Sequence, residues 1–359
     1  MISGLLRRLG FSIAATLTMA VSLVAVTSPA SATVAPAPTI HYAFDGDLTD
    51  LGGASSLQLL PTCPTVDANA CNATTAFGND SDGGYWQWTS TAARGGGFRM
   101  YSNQPIGTTY TMTMKFSFDT VGPSWKKIID FRNRVPDTGF YFIAGKIRFY
   151  NLGSASTQVY PANSVLDLVA VRQSTGGNAG TFTVYAKGAS GALTQLISIN
   201  DPSGESIPFV TNLNQTLLGF FFDDTATSSE ATSGGKVYDI KFWENTALTP
   251  QEIEAALVPP APPSGVVVTP GNQQVTVSWD PVPDATQYTA SVSPGGASCT
   301  VSAPATSCVI TGLSNGVSYS VTVTAVGPGG TSTASAVVGG VPAPDPEPDP
   351  DPVVPTFTG

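Results

Sequence analysis

The sequence of 359 residues is poor in the groups that most catalytic and metal sites need. It contains a single histidine, His41, and no lysine or arginine after Lys241. A Ser-His-Asp arrangement would have to use His41, and no nucleophile elbow or phosphate-binding loop is present. The formal net charge is −10, so the chain lacks the basic footprint that nucleic acids or anionic lipids require. We therefore expect no nucleic-acid partner.

Long apolar runs are also missing, except at the start of the chain. Residues 1–32 carry Arg7 and Arg8, then an apolar stretch, then an Ala30-Ser31-Ala32 cleavage pattern. This is the pattern of a secretory signal peptide. No later segment has the roughly 18 uninterrupted apolar residues that a membrane span needs. We expect a secreted, extracellular protein, with cell-surface association left open.

Only four cysteines are present, and they form two close pairs in the sequence: Cys63 with Cys71, and Cys299 with Cys308. Zinc would need four ligands at short spacings, and a single histidine does not supply them. In an exported chain, nearby cysteine pairs indicate local disulfides. We expect two disulfides, each closing a short loop.

The composition divides the rest of the chain into four segments. Residues 39–257 are rich in aromatic residues and hold all the basic residues that follow the signal. Residues 258–264 read VPPAPPS, which predicts a stiff linker. Residues 265–341 are rich in Val, Thr and Ser, and residues 342–359 alternate proline with acid. The last segment cannot form a packed core and is expected to be extended.

Both long segments have the sequence pattern of β-structure. TYTMTMKFSF (Thr109–Phe118) alternates with period two, and FYFIAGKIRFYN predicts a hairpin that turns at Ala144-Gly145. One helix is predicted over LTPQEIEAAL: Thr249 can cap it, Pro250 fits its first position, and Glu252 completes a capping box. We expect this helix to pack on the edge of an antiparallel sandwich.

Residues 265–341 resemble the fibronectin type III family. The stretches VTVSWDPVPDATQYTASV and GLSNGVSYSVTVTAV carry this resemblance. They predict Trp279 as a core residue and Tyr319 as a corner tyrosine. In exported bacterial proteins the resemblance implies a spacer beside a binding or catalytic domain.

Residues 39–257 resemble the laminin G-like branch of the concanavalin A-type jelly rolls. The similar stretches are YAFDGDLTDLGG, SWKKIIDFRNRVPDTGFYFIAGKIRFYN and GGKVYDIKFWENTALTPQEIEAAL. The resemblance implies a jelly-roll sandwich that binds carbohydrate or protein and often holds calcium. The fold class that we expect is therefore all-β, a concanavalin A-like jelly roll followed by a fibronectin type III sandwich.

The catalytic signature of glycosidases on this fold is missing. Those enzymes use a Glu-x-Asp-x-Glu pattern, because residues two apart on a strand share a face. None of the six glutamates after the signal has that pattern around it. Acid and base carboxylates from distant positions could still meet, so polysaccharide hydrolysis stays open as the alternative.

Calcium is the cofactor that the carboxylates favour, because Ca²⁺ takes several carboxylate and carbonyl oxygens. Two candidate sets exist. Asp45 and Asp47 lie in the first turn, and Asp239 lies on the closing strand. The first and last strands are often neighbours in laminin G-like folds, so the resemblance implies that Asp45 or Asp47 could share an ion with Asp239. The second set is Asp223, Asp224 and Glu230, after the apolar strand that ends in three phenylalanines. An acidic, solvated turn is the alternative interpretation of the second set.

Sugar recognition uses exposed aromatic platforms with hydrogen-bonding groups nearby. In GGYWQWTSTAARGGGFRMYSN, Trp86 and Trp88 share one face of a strand and are expected in the core. That arrangement turns Tyr85 or Gln87 outward. The other candidate ligand-binding residues are Arg94, Arg99 and Trp125, and Trp125 is expected to be exposed together with Lys126 and Lys127.

These observations predict a secreted, lectin-like module on a fibronectin type III spacer. Its partner would be a carbohydrate or a cell-surface glycoconjugate, bound without catalysis. The alternatives are a polysaccharide-degrading glycoside hydrolase, or its accessory component, and a structural adhesin. The sequence does not indicate an oligomeric state.

Overall fold

A computed structural model describes residues 35–59, 74–89, 96–135, 137–153, 155–187, 192–222 and 234–344. Within those ranges the chain forms strands and a single helix, so the all-β prediction is confirmed. The described part of the chain contains no helix with the length and apolar character that a bilayer crossing requires.

In the part of the chain that the structure describes, the first sandwich contains fifteen strands and the helix α1 (Pro250–Leu257). Its strands are β1 (Ile40–Tyr42), β2 (Ser55–Leu59), β3 (Thr74–Asp80), β4 (Gly83–Thr89), β5 (Phe98–Ser102), β6 (Tyr110–Phe118), β7 (Lys126–Asp130), β8 (Gly139–Ile143), β9 (Lys146–Tyr150), β10 (Leu166–Gly176), β11 (Ala179–Lys187), β12 (Leu193–Asp201), β13 (Phe209–Val210), β14 (Thr216–Phe220) and β15 (Gly235–Glu244).

Two antiparallel sheets pack face to face in this sandwich. The eight-stranded sheet has the order β12-β11-β10-β6-β15-β4-β3, with β1 also paired to β15. The seven-stranded sheet has the order β2-β5-β14-β7-β8-β9, with β13 also paired to β14. The first strand and the closing strand are thus neighbours, with His41 opposite Lys241.

The core between the two sheets is aromatic, as period-two alternation requires. On β4, Trp86 and Trp88 are buried and stack on each other at 5.4 Å, whereas Tyr85 and Gln87 are half-buried on the outer face. Phe98 of β5 joins the same core cluster from the opposite sheet. The expectation of core tryptophans on this strand is confirmed.

The outer face of the eight-stranded sheet is covered in part by α1. Thr249 caps this helix and Glu252 completes the capping box, as predicted. Ile253 packs with Val169 of β10 and Trp243 of β15 in a separate apolar cluster. The helix therefore lies on the face of the sheet, and the expectation that it packs on the sandwich edge was wrong.

The second sandwich is smaller. It contains β16 (Val267–Gly271), β17 (Gln274–Ser278), β18 (Gln287–Ser293), β19 (Ser298–Ser302), β20 (Ser307–Thr311), β21 (Tyr319–Gly327), β22 (Gly330–Thr331) and β23 (Val338–Gly340). One sheet has the order β16-β17-β20; the other has the order β19-β18-β21-β22, with β23 also on β21.

Trp279 and Tyr319 have the predicted structural roles in this sandwich. Trp279 is buried beside Tyr288, with ring centroids 5.3 Å apart. The Tyr319 hydroxyl accepts a hydrogen bond from the Ser314 backbone N–H at 3.1 Å, the geometry of a tyrosine corner. Cys299 and Cys308 form the expected disulfide between β19 and β20 and so join the two sheets. Cys63 and Cys71 lie outside the described residues.

Candidate functional site

A layer of polar and aromatic side chains, half of them buried, lies on the outer side of the seven-stranded sheet. We call it the aromatic–basic face. It consists of Arg99, Trp125, Lys127, Arg134, Tyr141, Arg148, Tyr150 and Phe222. These side chains come from five neighbouring strands and the segments next to them.

One row of this face is set by strand register. Lys127 lies opposite Tyr141, and Tyr141 lies opposite Arg148, across β7, β8 and β9. Residues directly opposite each other share a face. The alternate residues of β8 and β9 point into the core, and Phe140 and Phe149 are among them. The row is therefore on the outer side.

Trp125 lies over one end of this row. Its ring meets Tyr141 at 5.2 Å and Tyr150 at 5.4 Å, both edge to face, and the Arg148 guanidinium lies 5.0 Å from its ring centroid. Tyr150 is 40% exposed and forms the accessible rim. The Nε of Arg148 is buried and has no hydrogen-bond partner within the described part of the chain. A buried donor without an acceptor is costly.

The other end of the face is built around Phe222. Phe221 has φ +60°, an uncommon conformation for a bulky residue. This twist places Phe221 in the core and turns Phe222 onto the outer side of Gly219, where a Cβ would lie 2.3 Å from its ring. Arg99 and Arg134 lie 5.7 and 5.6 Å from the Phe222 ring centroid.

Two carboxylates of the described residues lie within the face. Asp130 accepts the backbone N–H groups of Arg132 and Arg134 on one oxygen, while its other oxygen is 3.4 Å from the Lys127 ammonium. Asp137 lies 3.8 Å from the same ammonium and accepts the Tyr141 hydroxyl. Lys127 has a fully buried side chain, so these carboxylates hold the cation in place.

The predicted ligand-binding residues are divided between the two sheets. Arg99 and Trp125 belong to the aromatic–basic face, but Trp125 is half-buried and its neighbours Lys126 and Lys127 are buried. The expectation of an exposed Trp-Lys-Lys group was therefore wrong. Burial lowers the pKa of Lys126 below its usual value.

Tyr85 and Gln87 lie on the other side of the sandwich, on the outer face of the eight-stranded sheet. Lys236 lies 4.1 Å from the Tyr85 ring centroid and forms an ion pair with Asp80 at 2.8 Å. The hydrogen bond from Lys236 lowers the pKa of Asp80, and the same bond raises the pKa of Lys236. Arg94 lies outside the described residues.

Of the two candidate calcium sets, only the first lies within the described residues. Asp45 and Asp47 are exposed in the first turn, and Asp47 accepts the Thr49 N–H at 2.7 Å. Asp239 accepts from His41 at 2.8 Å and lies 3.3 Å from the Lys241 ammonium. Among the residues that the structure describes, no three His, Cys, Asp or Glu side chains form a metal-binding group.

The second calcium set, Asp223, Asp224 and Glu230, lies outside the described ranges. Calcium binding therefore stays a prediction. Asp50, next to the first set, is buried and accepts backbone N–H groups from His41, Gly52 and Ala54. It orders the first turn of the sandwich.

Sequence reasoning missed Phe222, Arg134, Arg148 and the two tyrosines of the face. A signal was present for three of them. Tyr141, Arg148 and Tyr150 are the alternate positions of the FYFI and KIRFY strands whose other positions are apolar. Period-two analysis of that hairpin would have placed them together on the outer side.

A family model matches the second sandwich. Residues 261–340 match the family described as "Fibronectin type III domain". No curated protein matches the chain. The FN5 domain of Drosophila Lar is 25% identical, with 23% of this chain and 97% of that chain covered and a TM-score of 0.22. An Fn3-like protein from Clostridium thermocellum is 22% identical, with 22% and 90% covered and a TM-score of 0.20.

A third similar structure is that of the chicken CNTN1 FN1-FN3 domains. It is 11% identical, with 76% of this chain and 67% of that chain covered and a TM-score of 0.24. The family match has its first residue at 261, inside the proline-rich segment. Pro260 and Pro263 are buried, and a Cβ on Gly327 would lie 2.7 Å from the Pro260 ring. Residues 261–340 form a fibronectin type III domain.

Proposed function

We propose that residues 39–257 are a laminin G-like carbohydrate-binding module, displayed on the fibronectin type III domain as a spacer in a secreted protein. The observation that carries this proposal is the aromatic–basic face. Aromatic rings give a sugar flat apolar area, and arginine donors next to them give direction. Trp125, Tyr150 and Arg148 meet these requirements at one end of the face.

The binding test compares two aromatic residues of matched exposure on opposite sheets. Tyr150 is 40% exposed on the aromatic–basic face, and Phe77 is 42% exposed on β3 of the other sheet. The full chain is screened on a glycan array, and its best ligand is titrated by calorimetry. Tyr150→Ala and Arg148→Ala should each weaken binding about tenfold, which corresponds to about 1.4 kcal/mol, whereas Phe77→Ala should not.

Equal losses for Tyr150→Ala and Phe77→Ala would place the binding site elsewhere. An array without any ligand would remove the lectin-like function and leave a structural adhesin as the better interpretation.

Polysaccharide hydrolysis is the alternative function. It needs an acid and a base carboxyl group in one cleft. Asp130 and Asp137 are the described carboxylates of the aromatic–basic face, and both are engaged by Lys127 and neighbouring donors. This arrangement favours binding without catalysis. Release of reducing sugar by the wild type, and its loss in both Asp130→Asn and Asp137→Asn, would establish hydrolysis instead.

Calcium is proposed as a stabilising ion, bound either at the first turn or by the acidic residues that follow β14. Thermal unfolding of the full chain in calcium, magnesium or EDTA tests this directly. Calcium at about 100 times its dissociation constant should stabilise the fold by roughly 2.7 kcal/mol. Asp45→Asn with Asp47→Asn should abolish the shift if the first turn is the site, and unchanged unfolding in EDTA would exclude a stabilising ion.

A further inference from the structure

A second concave site lies on the outer face of the eight-stranded sheet, beside α1. We call it the outer cleft. It has a volume of about 390 Å³. Strands β6, β10, β11 and β15 contribute charged side chains to its floor, and Leu257 and Pro259 contribute an apolar wall. The aromatic–basic face belongs to the opposite sheet, so the two sites are separate.

The floor of the outer cleft carries a row of alternating charges. Lys187 lies opposite Asp167, Asp167 lies opposite Lys115, and Lys115 lies opposite Asp239. Neighbouring strands are about 4.8 Å apart. The row therefore runs positive, negative, positive, negative across four adjacent strands.

Two of the four charged side chains in this row, Lys115 and Asp239, are paired within the protein. The Lys115 ammonium donates to the Asp82 carbonyl oxygen at 2.7 Å and lies 3.3 Å from its carboxylate. His41 and Lys241 engage Asp239. These contacts fix Lys115 and Asp239 in the free protein.

The other two charged side chains of the row, Asp167 and Lys187, are not paired with any described residue. Within the described ranges, the side chains of Asp167 and Lys187 make no hydrogen bond and no ion pair within 4 Å, although the two residues are directly opposite each other on β10 and β11. Asp167 is half-buried, and burial raises its pKa despite the nearby lysines. Burying a charge without a partner is costly. A ligand that carries both charges could pair with the Asp167 carboxylate and the Lys187 ammonium at the same time.

We propose that the outer cleft binds a zwitterionic small molecule, of the class of an α-amino acid with an aliphatic side chain. The ligand ammonium would meet Asp167 and the ligand carboxylate would meet Lys187. A purely cationic ligand leaves Lys187 unpaired, and a purely anionic ligand leaves Asp167 unpaired. The aliphatic side chain packs against Leu257 and Pro259 on the apolar wall.

Calorimetry on the full chain tests the charge requirement with four probes: L-leucine, L-leucinamide, N-acetyl-L-leucine and maltose. The two blocked probes each retain one charge of leucine, and maltose has neither. Leucine should bind at least tenfold more tightly than the other three. Equal binding of a blocked probe, preferential binding of maltose, or no binding of leucine would each overturn the proposal.

Two pairs of variants locate the site. Asp167→Asn and Lys187→Gln should each weaken leucine binding at least tenfold. Asp80→Asn and Lys236→Gln are matched controls on the same sheet, because this pair is already closed at 2.8 Å, and they should bind as the wild type does. Equal losses in both pairs would overturn the assignment.

A thermal unfolding curve separates loss of the site from loss of the fold. Asp167→Asn removes a half-buried, unpaired charge without changing shape, so its Tm should equal or exceed that of the wild type. Lost leucine binding with an unchanged or raised Tm supports a ligand site. Full leucine binding in a stable Asp167→Asn variant contradicts it.

Discussion

The two sandwiches are built from the same kind of structure but are stabilised differently. The core of the first is dominated by aromatic and other large side chains, and ion pairs lie on and inside its sheets. The core of the second is mostly valine and alanine around Trp279 and Tyr288, and residues 265–341 contain only two acidic residues and no lysine or arginine. Charge in the first sandwich is therefore available for ligand chemistry, and the second is stabilised by apolar packing and a cross-link.

The largest expected effect concerns a charge inside the first sandwich. Arg172 is fully buried and donates to the Ser206 hydroxyl at 2.9 Å and to the Asn178 carbonyl at 2.6 Å. It also lies 3.4 Å from Asp201, which is equally buried. Arg172→Met would leave Asp201 buried without its cation, which costs about 3–5 kcal/mol. Urea unfolding combined with hydrogen exchange should show the loss in peptides of the first sandwich.

A matched control lies close by. Arg132 and Glu205 are also 3.4 Å apart, but their side chains are 27% and 19% exposed. Solvent weakens such a pair, so Arg132→Met should cost no more than about 1 kcal/mol. Similar losses for both variants would mean that burial of charge does not distinguish the first sandwich.

The second largest expected effect concerns the second sandwich. Cys299 and Cys308 are nine positions apart and join the two sheets of the second sandwich. Replacing both with serine should cost about 2–3 kcal/mol, mainly by freeing the unfolded chain. Hydrogen exchange should rise in residues 261–340 and stay unchanged in the first sandwich. Ser298→Ala, next to the bridge, is the control and should change neither region.

The turns and the helix cap of the first sandwich could be predicted from the sequence, because a few neighbouring residues determine each of them. The Ala144-Gly145 turn has positive φ at both positions, 48° and 77°, as a tight hairpin requires. The capping box at Thr249 formed as expected. These features depend on a few consecutive residues.

Features that depend on strand pairing could not be predicted in the same way. Apolar residues occur on both faces of β10, so Val169 and Val171 gave no sign of which side α1 would cover. The pairing of β7 with β8 shifts between Lys127 and Ile129. No spacing rule gives such an irregularity, and it determines which residue of the Trp-Lys-Lys stretch meets Tyr141. The aromatic–basic face requires that register, and the outer cleft requires the pairing of β11, β10, β6 and β15 in the other sheet.

A smaller effect tests how α1 is attached to the first sandwich. The Thr249 hydroxyl accepts the Glu252 N–H, and Glu252 accepts the Thr249 N–H at 2.8 Å. Thr249→Ala should therefore cost about 1 kcal/mol, seen as faster hydrogen exchange in α1 and in the strands that it covers. Gln251→Ala, at an exposed position of the same helix, should leave exchange unchanged.

The smallest effect is a pH dependence of the stability of the first sandwich. Burial raises the folded-state pKa of Asp167 above its ordinary value, so the folded protein binds this proton more tightly than the unfolded chain does. Ionisation then costs stability, and the cost develops as pH rises from the unfolded pKa through the folded one. Asp167→Asn should unfold at a higher temperature than the wild type at pH 7, and the difference should vanish near pH 3.

Asp80→Asn is the control, and its difference in unfolding temperature from the wild type should have the opposite sign, because the Lys236 hydrogen bond lowers the pKa of Asp80. Equal pH profiles for the two variants would show that desolvation of Asp167 contributes nothing to the stability of the first sandwich.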